Sequence, residues 1–483
     1  MDKVQIEKFD EVYIKIKAEP SVMMEMSEYF TFMVPGAKFM PSYRSKFWDG
    51  KIRLLNVMTG LLYAGLTKYV EEFCKSREYE LEYLTDLSSE NFSVKEAKDF
   101  IAKLKPTMEP RDYQIDAFVH AVRERRALLL SPTASGKSFI IYLLVRYYAK
   151  RTLILVPTTS LVSQLASDFA DYGFDSDTFV HRVFAGQDKG STKPITISTW
   201  QSIYKLPKEF FSQFDVVIGD EAHLFKAKSL TSILTKLSGC RYRFGFTGTL
   251  DGTETHKLVL EGLFGAVRKV ITTAELIEQK HLAAFKIKAI VLSYPDEARK
   301  MIARANDYQS EMDYLVRLDA RNKFIRNLAL SLEGNTLLLF QFVEKHGKEL
   351  YAKIKEEASD RKIFYVAGTV EGEEREEIRK IVENESNAII VASFGTYSTG
   401  VNIKNLHNVI FGSPSKSRIR NLQSIGRGLR KSDTKTAATL YDIADDLSWK
   451  NKKNYTLLHF MERIKIYNEE KFQYKIYKVS LDY

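Results

Sequence analysis

The clearest chemistry in the chain lies between Leu128 and Ser138, which reads Leu-Leu-Leu-Ser-Pro-Thr-Ala-Ser-Gly-Lys-Ser. An apolar run ends in a short polar loop, and Gly-Lys-Ser opens a helical run, Phe139 to Tyr148. Backbone N–H groups of such a loop, with a helix N-terminus behind them, can cradle phosphate oxygens. Pro132, Thr133, Ala134, Ser135 and Gly136 would form the cradle. Lys137 would reach the β- and γ-phosphates of ATP, and Ser138 would hold Mg²⁺. Ser131 stands where the pattern G-x-x-x-x-G-K-[ST] has its first glycine, so the loop alone could be a plain turn.

The second site is Asp215-Val-Val-Ile-Gly-Asp-Glu-Ala-His223. An apolar strand delivers two adjacent acids to its C-terminal end. Asp220 would hold Mg²⁺ through water, and Glu221 would polarise the attacking water. Adjacent buried acids without a cation would repel each other, which argues against a purely structural role. Arg111-Asp-Tyr-Gln114 precedes an amphipathic helix; the Gln114 amide can both donate and accept, as reading adenine requires. Tyr242 to Thr249 is a further strand with a hydroxyl-rich end, whose Thr247 and Thr249 could bond His223 or Asp220 and sense nucleotide state. Two more strands, Arg151–Val156 and Pro194–Thr199, end in Thr158 and Thr159 and in Thr199 and Trp200. Open α/β sheets bind ligands at such ends.

These residues need parallel strands alternating with helices to hold them. At 483 residues the chain exceeds a single core, and about three domains are expected. It is 45% hydrophobic and 28% charged, which fits a soluble globular protein. Cys74 and Cys240 lack metal-ligand spacing and read as reduced thiols. No signal pattern or membrane-length apolar run occurs, so a cytoplasmic protein without membrane contact is expected, in the host-cell cytoplasm if a phage encodes it. The net charge of +10 favours a polyanionic partner.

Residues 1–105 read as a small α+β domain. Lys38 to Leu55 interleaves cations and aromatics, with Asp49-Gly50 as a hairpin signal between two strand-like runs. Arg44, Lys46, Trp48, Lys51 and Arg53 could contact DNA phosphates, bases or sugars. Alternatively, Phe47 and Trp48 are core residues of a small sheet whose cations only solvate its outer face. Pro106 and Pro110 mark a linker. Residues 106–285 form the first α/β domain, 286–449 a second, and 450–483 a basic helical tail, with eight cations against four acids and an apolar stripe of Leu457, Leu458, Met461 and Ile464.

Arg111–Gln114, Pro132–Ser138, Asp220–His223 and Thr247–Thr249 resemble motifs Q, I, II and III of the superfamily 2 helicases. Ser393 to Asn402 resembles motif V, in which Ser393 and Gly400 would join the nucleic-acid backbone to the nucleotide. Gln423-Ser-Ile-Gly-Arg-Gly-Leu-Arg430 resembles motif VI. Arg427 and Arg430, at i and i+3, would share one helix face and meet the γ-phosphate as arginine fingers, with Gln423 coupling the sites. Phe47 to Leu55, with Pro157–Thr159, Ser198–Gln201 and the C-terminal sequence, is similar to the bacteriophage UvsW-type recombination-repair helicases.

The resemblance implies two RecA-like parallel-sheet lobes with ATP and Mg²⁺ between them. It implies an ATP-driven motor that moves the Thr158/Thr159/Thr199 surface relative to a Gln341/Ser393 surface along one strand. The implied partners are branched, single-stranded and duplex DNA, with RNA in R-loops, for a monomeric enzyme that unwinds and anneals. The rival readings are an RNA helicase, a duplex translocase that never parts strands, and an annealing protein whose nucleotide site is regulatory.

Overall fold

The computed structural model describes residues 3–34, 36–132, 134–184, 190, 192–224, 227–248, 250, 254–358, 360–367, 378, 380–399, 403, 405–414 and 437–481. The chain divides into two compact units, one of residues 1–131 and 135–271 and one of residues 132–134 and 272–483.

The first unit opens with six strands, β1 (Lys3–Lys8), β2 (Tyr13–Lys17), β3 (Thr31–Met33), β4 (Lys51–Arg53), β5 (Leu61–Tyr63) and β6 (Glu80–Tyr83). Four of them make a sheet in the order β5-β2-β1-β6, with β1 antiparallel to β2 and parallel to β6. Alternation puts Val4, Ile6, Ile14 and Ile16 on one face. Helices Pro20–Tyr29 and Thr67–Ser76 cover that face with Val22, Met26, Val70 and Phe73.

β3 and β4 form a separate antiparallel ribbon, with Phe32 opposite Ile52. The expected hairpin at Asp49-Gly50 is absent: the chain before it forms two short helices, Ala37–Phe39 and Pro41–Arg44. Pro41 explains the difference, because proline cannot donate to a strand ladder and its φ suits the first helical position. Asp49 instead pairs with Arg53 and accepts the Lys51 N–H at 3.1 Å.

Seven further strands build the motor sheet of this unit: β7 (Arg126–Leu130), β8 (Thr152–Val156), β9 (Val180–Val183), β10 (Ile195–Thr199), β11 (Val216–Gly219), β12 (Tyr242–Thr247) and β13 (Val267–Lys269). All pairings are parallel, in the order β13-β7-β12-β11-β8-β10-β9. Covered on both faces, the central strands are continuous apolar runs rather than alternating ones. Helix Val94–Leu104 belongs to this core, since Ala97 and Ile101 cluster with Phe118 and Ile140. The small domain therefore ends before this helix, not at residue 105. Its Ser93 capping box and the burial of Ala97 and Ile101 on the motor core outweigh its charged surface. The small domain is docked on the motor domain. Tyr69 donates to Glu261 Oε2 at 2.7 Å, and a Cβ on Gly65 would lie 1.9 Å from the Glu261 carbonyl oxygen.

The main segment of the second unit begins at Thr272, ahead of the expected boundary at 286. Its strands are β14 (Ala284–Ser293), β15 (Thr336–Phe340), β16 (Ile363–Val366), β17 (Ile389–Ser393), β18 (Asn408–Phe411), β19 (Ala437–Asp446) and β20 (Tyr474–Ser480). They form a second all-parallel sheet, β16-β17-β15-β18-β19-β14-β20. The tail expected to be helical supplies helix Tyr455–Glu469 and then the edge strand β20. Half of the expected stripe packs inward: Leu457 and Ile464 are partly buried against the core, whereas Leu458 and Met461 are exposed and the buried face is completed by Phe460, Arg463, Ile466 and Tyr467. The reason is polar. Asp442, fully buried on β19, accepts from Arg463 Nη2 at 2.8 Å and from the Tyr467 hydroxyl at 2.7 Å, and so fixes the helix rotation. Once buried, such a group must keep its partners.

Candidate nucleotide and nucleic-acid site

β7 delivers the loop of Ser131 to Gly136 to helix Lys137–Tyr148. Ser131 and Ser135 are fully buried and face each other at 2.6 Å between hydroxyl oxygens. The serine in the place of the first glycine therefore ties the two ends of the loop together. Gly136 has φ +79°, and a Cβ there would meet the Gln114 amide nitrogen at 2.3 Å.

Gln114 is 4% exposed, and its amide braces the loop. Oε1 accepts the Arg111 N–H at 2.9 Å, while Nε2 donates to the carbonyls of Ser135 at 3.0 Å and Gly136 at 3.3 Å. Both ends of the amide therefore bond backbone, and Gln114 braces the loop in addition to any contact with a base. Tyr113 adds to it, donating to the Ser135 carbonyl at 2.8 Å and accepting from Arg111 Nη1 at 2.7 Å. Sequence reading passed over Tyr113, although it lies inside the Arg111–Gln114 motif.

β11 carries the acids to the same edge of the sheet. The Lys137 ammonium is paired with Glu221 and lies 3.9 Å from Asp220 Oδ1. Glu221 sits at φ +50°, a left-handed conformation uncommon for a non-glycine residue, and its N–H donates to Asp220 Oδ1 at 2.9 Å. His223 is buried, with Nδ1 2.7 Å from Thr247 Oγ1 and 3.5 Å from Glu221 Oε2. The expected link between motifs II and III is therefore made through Thr247. Burial raises the Asp220 carboxyl pKa; the Lys137 charge opposes the shift and the Glu221 charge adds to it. A carboxylate so desolvated favours a cation beside it.

Ser138 and Asp220 are hard oxygen donors at one end of the sheet, a set that fits Mg²⁺ shared with phosphates rather than an all-protein cage. Among the described residues, no group of three or more His, Cys, Asp or Glu could hold a metal ion by itself. A cavity of about 540 Å³ lies elsewhere in the unit and includes Lys8, Glu11, His120 and Arg126 in its lining; it shares no nucleotide-site residue.

Thr158 follows β8 and caps helix Thr159–Asp171, accepting the Leu161 N–H at 3.4 Å. Thr199 ends β10, the neighbour of β8, and pairs with Ser202 Oγ at 2.7 Å. Trp200 is half-buried beside Tyr204. In the second unit, Ser393 is buried and caps the following helix, accepting the Thr396 N–H at 3.2 Å. Thr199 and Ser393 thus serve local structure in addition to any ligand.

Gln341 is backed by a buried network. Its N–H donates to Ser413 Oγ at 3.1 Å, and His346 lies 3.0 Å from that oxygen and 3.1 Å from Asn322 Oδ1. Burial depresses the His346 pKa to about 3, so the ring is neutral. Asn322 Nδ2 donates to the Val316 carbonyl at 3.0 Å, which leaves its oxygen facing His346. The ring therefore donates from Nε2 and accepts the Ser413 proton at Nδ1.

In the small domain, Phe47 is 91% and Phe39 77% exposed, which removes the reading of Phe47 as a core residue. Arg44, Lys46 and Lys51 are exposed around them. Trp48 is half-buried and donates to the Lys51 carbonyl at 2.9 Å, while Arg53 is held by Asp49. Thr133, Thr249, Gly400, Gln423, Arg427 and Arg430 lie outside the described residues.

Comparison with known proteins matches residues 3–83 to the family described as DNA helicase UvsW, N-terminal. Residues 107–252 match the type III restriction enzyme res subunit family, and 319–432 match the helicase conserved C-terminal domain. The ATP-dependent DNA helicase uvsW of Enterobacteria phage T4 is 36% identical over 505 aligned positions, covering 99% of this chain and all of that protein. The DNA 3′-5′ translocase XPB2 of Sulfurisphaera tokodaii is 27% identical, over 68% of this chain and 80% of that protein. The crystal structure of T4 UvsW superposes with a TM-score of 0.53 at 35% identity, covering 99% of this chain and 100% of the other. With whole-length identity above a third, a matching N-terminal domain and two all-parallel sheets, the chain belongs to the UvsW family of ATP-dependent DNA helicases within superfamily 2.

Proposed function

We propose that this chain is an ATP-driven DNA motor for branched substrates, namely forks, four-way junctions and R-loops, which unwinds and also anneals strands as a monomer in the host-cell cytoplasm. The observation that carries the motor chemistry is the convergence of Lys137, Asp220 and Glu221 at one edge of the parallel sheet. Lys137 leaves Glu221 for the β- and γ-phosphates when ATP binds, which frees the Glu221 carboxylate to accept a proton from the attacking water. Ser138, and Asp220 through water, would hold Mg²⁺. When bound, that ion neutralises charge on the phosphate oxygens. Gln114 and Tyr113 keep the loop carbonyls turned away, so that its N–H groups face phosphate. Arg427 and Arg430, by their motif, meet charge that develops on the γ-phosphate. The His223–Thr247 contact carries the nucleotide state into the strand ends.

Support for branched DNA comes from the small domain, where Arg44, Lys46 and Lys51 surround exposed aromatics on the β3–β4 insertion. Duplex arms present phosphate, and a branch point presents unpaired bases that stack on aromatic faces. The deciding experiment is nucleic-acid-stimulated ATPase and unwinding on a panel of single-stranded, duplex, forked, junction and R-loop substrates, with matched RNA. Strongest stimulation and strand separation on branched DNA is the expected result; equal activity on linear strands overturns it. The XPB2 relative, named a translocase, supports a second reading in which the motor tracks duplex without parting it. Stimulation by duplex with no displaced strand would establish that reading.

A further inference from the structure

Ser138 opens helix Lys137–Tyr148 immediately after the phosphate-binding lysine. Its Oγ lies 2.7 Å from the hydroxyl of Tyr172, a residue from a different helix-and-loop segment. Tyr172 is buried among aromatic rings. Its ring meets Phe139 edge-on at 5.0 Å between centroids and Tyr142 at 5.3 Å. Its N–H donates to the Asp168 carbonyl at 3.1 Å, and its own carbonyl accepts the Thr107 N–H at 3.4 Å. It directly follows helix Thr159–Asp171, whose other end is capped by Thr158.

A serine hydroxyl has one proton and two lone pairs. If it ligates a cation it must offer a lone pair, so its proton has to point to an acceptor elsewhere. A free rotor would meet that condition only part of the time. The Tyr172 oxygen lies at hydrogen-bond distance, on a ring packed against Phe139 and Tyr142, and can accept that proton. The outer partner of a metal ligand fixes the ligand in this way at many sites.

We propose that Tyr172 is a positioning residue for Ser138: its phenol oxygen accepts the serine proton and turns the Ser138 lone pairs toward the divalent cation that accompanies the nucleotide. The proposal rests on the reading of Ser138 as a cation-holding residue. It also makes the hydroxyl pair a joint between the phosphate-loop helix and the C-terminal end of helix Thr159–Asp171.

Tyr172→Phe keeps the ring in its aromatic cluster and deletes the oxygen. The measurement is binding of a fluorescent ATP analogue to the full chain without DNA, as Mg²⁺ is titrated and again in EDTA. One net hydrogen bond predicts a rise of about five-fold in the Mg²⁺ concentration at half-saturation. Affinity in EDTA should equal that of the unsubstituted protein. An unchanged midpoint overturns the proposal, and so does an equal loss with and without Mg²⁺, which would show a packing role only. Ser138→Ala and the double variant complete a cycle. Ser138→Ala should raise the midpoint at least as far, and adding Tyr172→Phe should raise it no further. Additive shifts overturn the proposal for Tyr172. If Ser138→Ala leaves the midpoint where it was, the reading of Ser138 itself fails, a separate result from failure at Tyr172 alone.

Discussion

The nucleotide site and the β3–β4 insertion of the small domain both depend on charged and aromatic groups, yet they are built in opposite ways. At the nucleotide site the charges already have partners. Lys137 is paired with Glu221, Glu221 donates its N–H to Asp220, His223 meets Thr247, and Gln114 is bound at both ends of its amide. Ligand binding there must exchange one set of contacts for another. In the insertion, Arg44, Lys46 and Lys51 stand in water beside Phe39 and Phe47. Arg44 donates to the Lys38 carbonyl at 3.4 Å, and binding there displaces counterions and water more than protein partners. The first arrangement suits a switch whose state depends on what is bound. The second suits a grip that is independent of the nucleotide and sensitive to salt.

The difference can be broken experimentally, beginning with the arginines of motif VI. Arg427→Ala or Arg430→Ala should lower kcat by roughly 10³-fold, with ATP affinity changed far less, because the charge they meet develops in the transition state. A mainly weakened ATP affinity would reassign that arginine to ground-state phosphate contact. Next, Glu221→Gln should retain ATP binding and cut turnover by at least about 10²-fold, since an amide cannot take the proton of the attacking water. Turnover within a few-fold of the unsubstituted enzyme would remove Glu221 from its role. In both cases junction affinity should persist, and its loss would mean that the two regions are not independent.

The converse substitutions lie in the insertion. Neutralising Arg44, Lys46, Lys51 and Arg53 together should weaken junction binding and flatten its salt dependence by up to about four units of slope, if all four touch phosphate. Because Asp49 already holds Arg53, a change nearer three units is the sharper expectation. Single-strand-stimulated ATPase should survive. An unchanged slope in the salt titration, with circular dichroism confirming the fold, would leave these cations as solvation only. The smallest effect is expected for Phe47→Ala, which deletes one exposed ring. Affinity for a junction with unpaired bases should fall by about ten-fold, as for the loss of one stacked base, while affinity for plain duplex stays level. Equal losses on both substrates would argue against stacking.

The sequence determined much of this protein because its key signals are local. A phosphate loop needs a strand, a tight polar turn and a helix start within a dozen residues, so Leu128 to Ser138 could be read directly. The apolar runs of β8, β11, β15 and β17 are long and uninterrupted because parallel strands are buried on both faces. Two α/β arrays and their loop-borne residues followed from those runs. The domain limits were less legible, because Pro106 and Pro110 break the chain whether or not a core ends there, and nothing in the charged helix Val94–Leu104 says which core Ala97 and Ile101 will join.

Only the tertiary structure decided what each polar group does. The bracing role of Gln114 has no signal in the sequence: it arises only when the loop carbonyls of Ser135 and Gly136 come within 3.3 Å of its amide. Tyr172 has no local signal at all, since the hydroxyl it meets belongs to Ser138 on another helix. The rotation of helix Tyr455–Glu469 is fixed by Asp442, a buried acid on a strand whose charge must be answered by Arg463 and Tyr467 whatever the apolar stripe suggests. The exposure of Phe39 and Phe47 follows from Pro41, which turns a strand-like run into a helical insertion that no core covers. Periodicity and short motifs record what neighbours along the chain impose. Hydrogen-bond partners and burial are set by segments that meet only after folding, and their energies depend on that meeting.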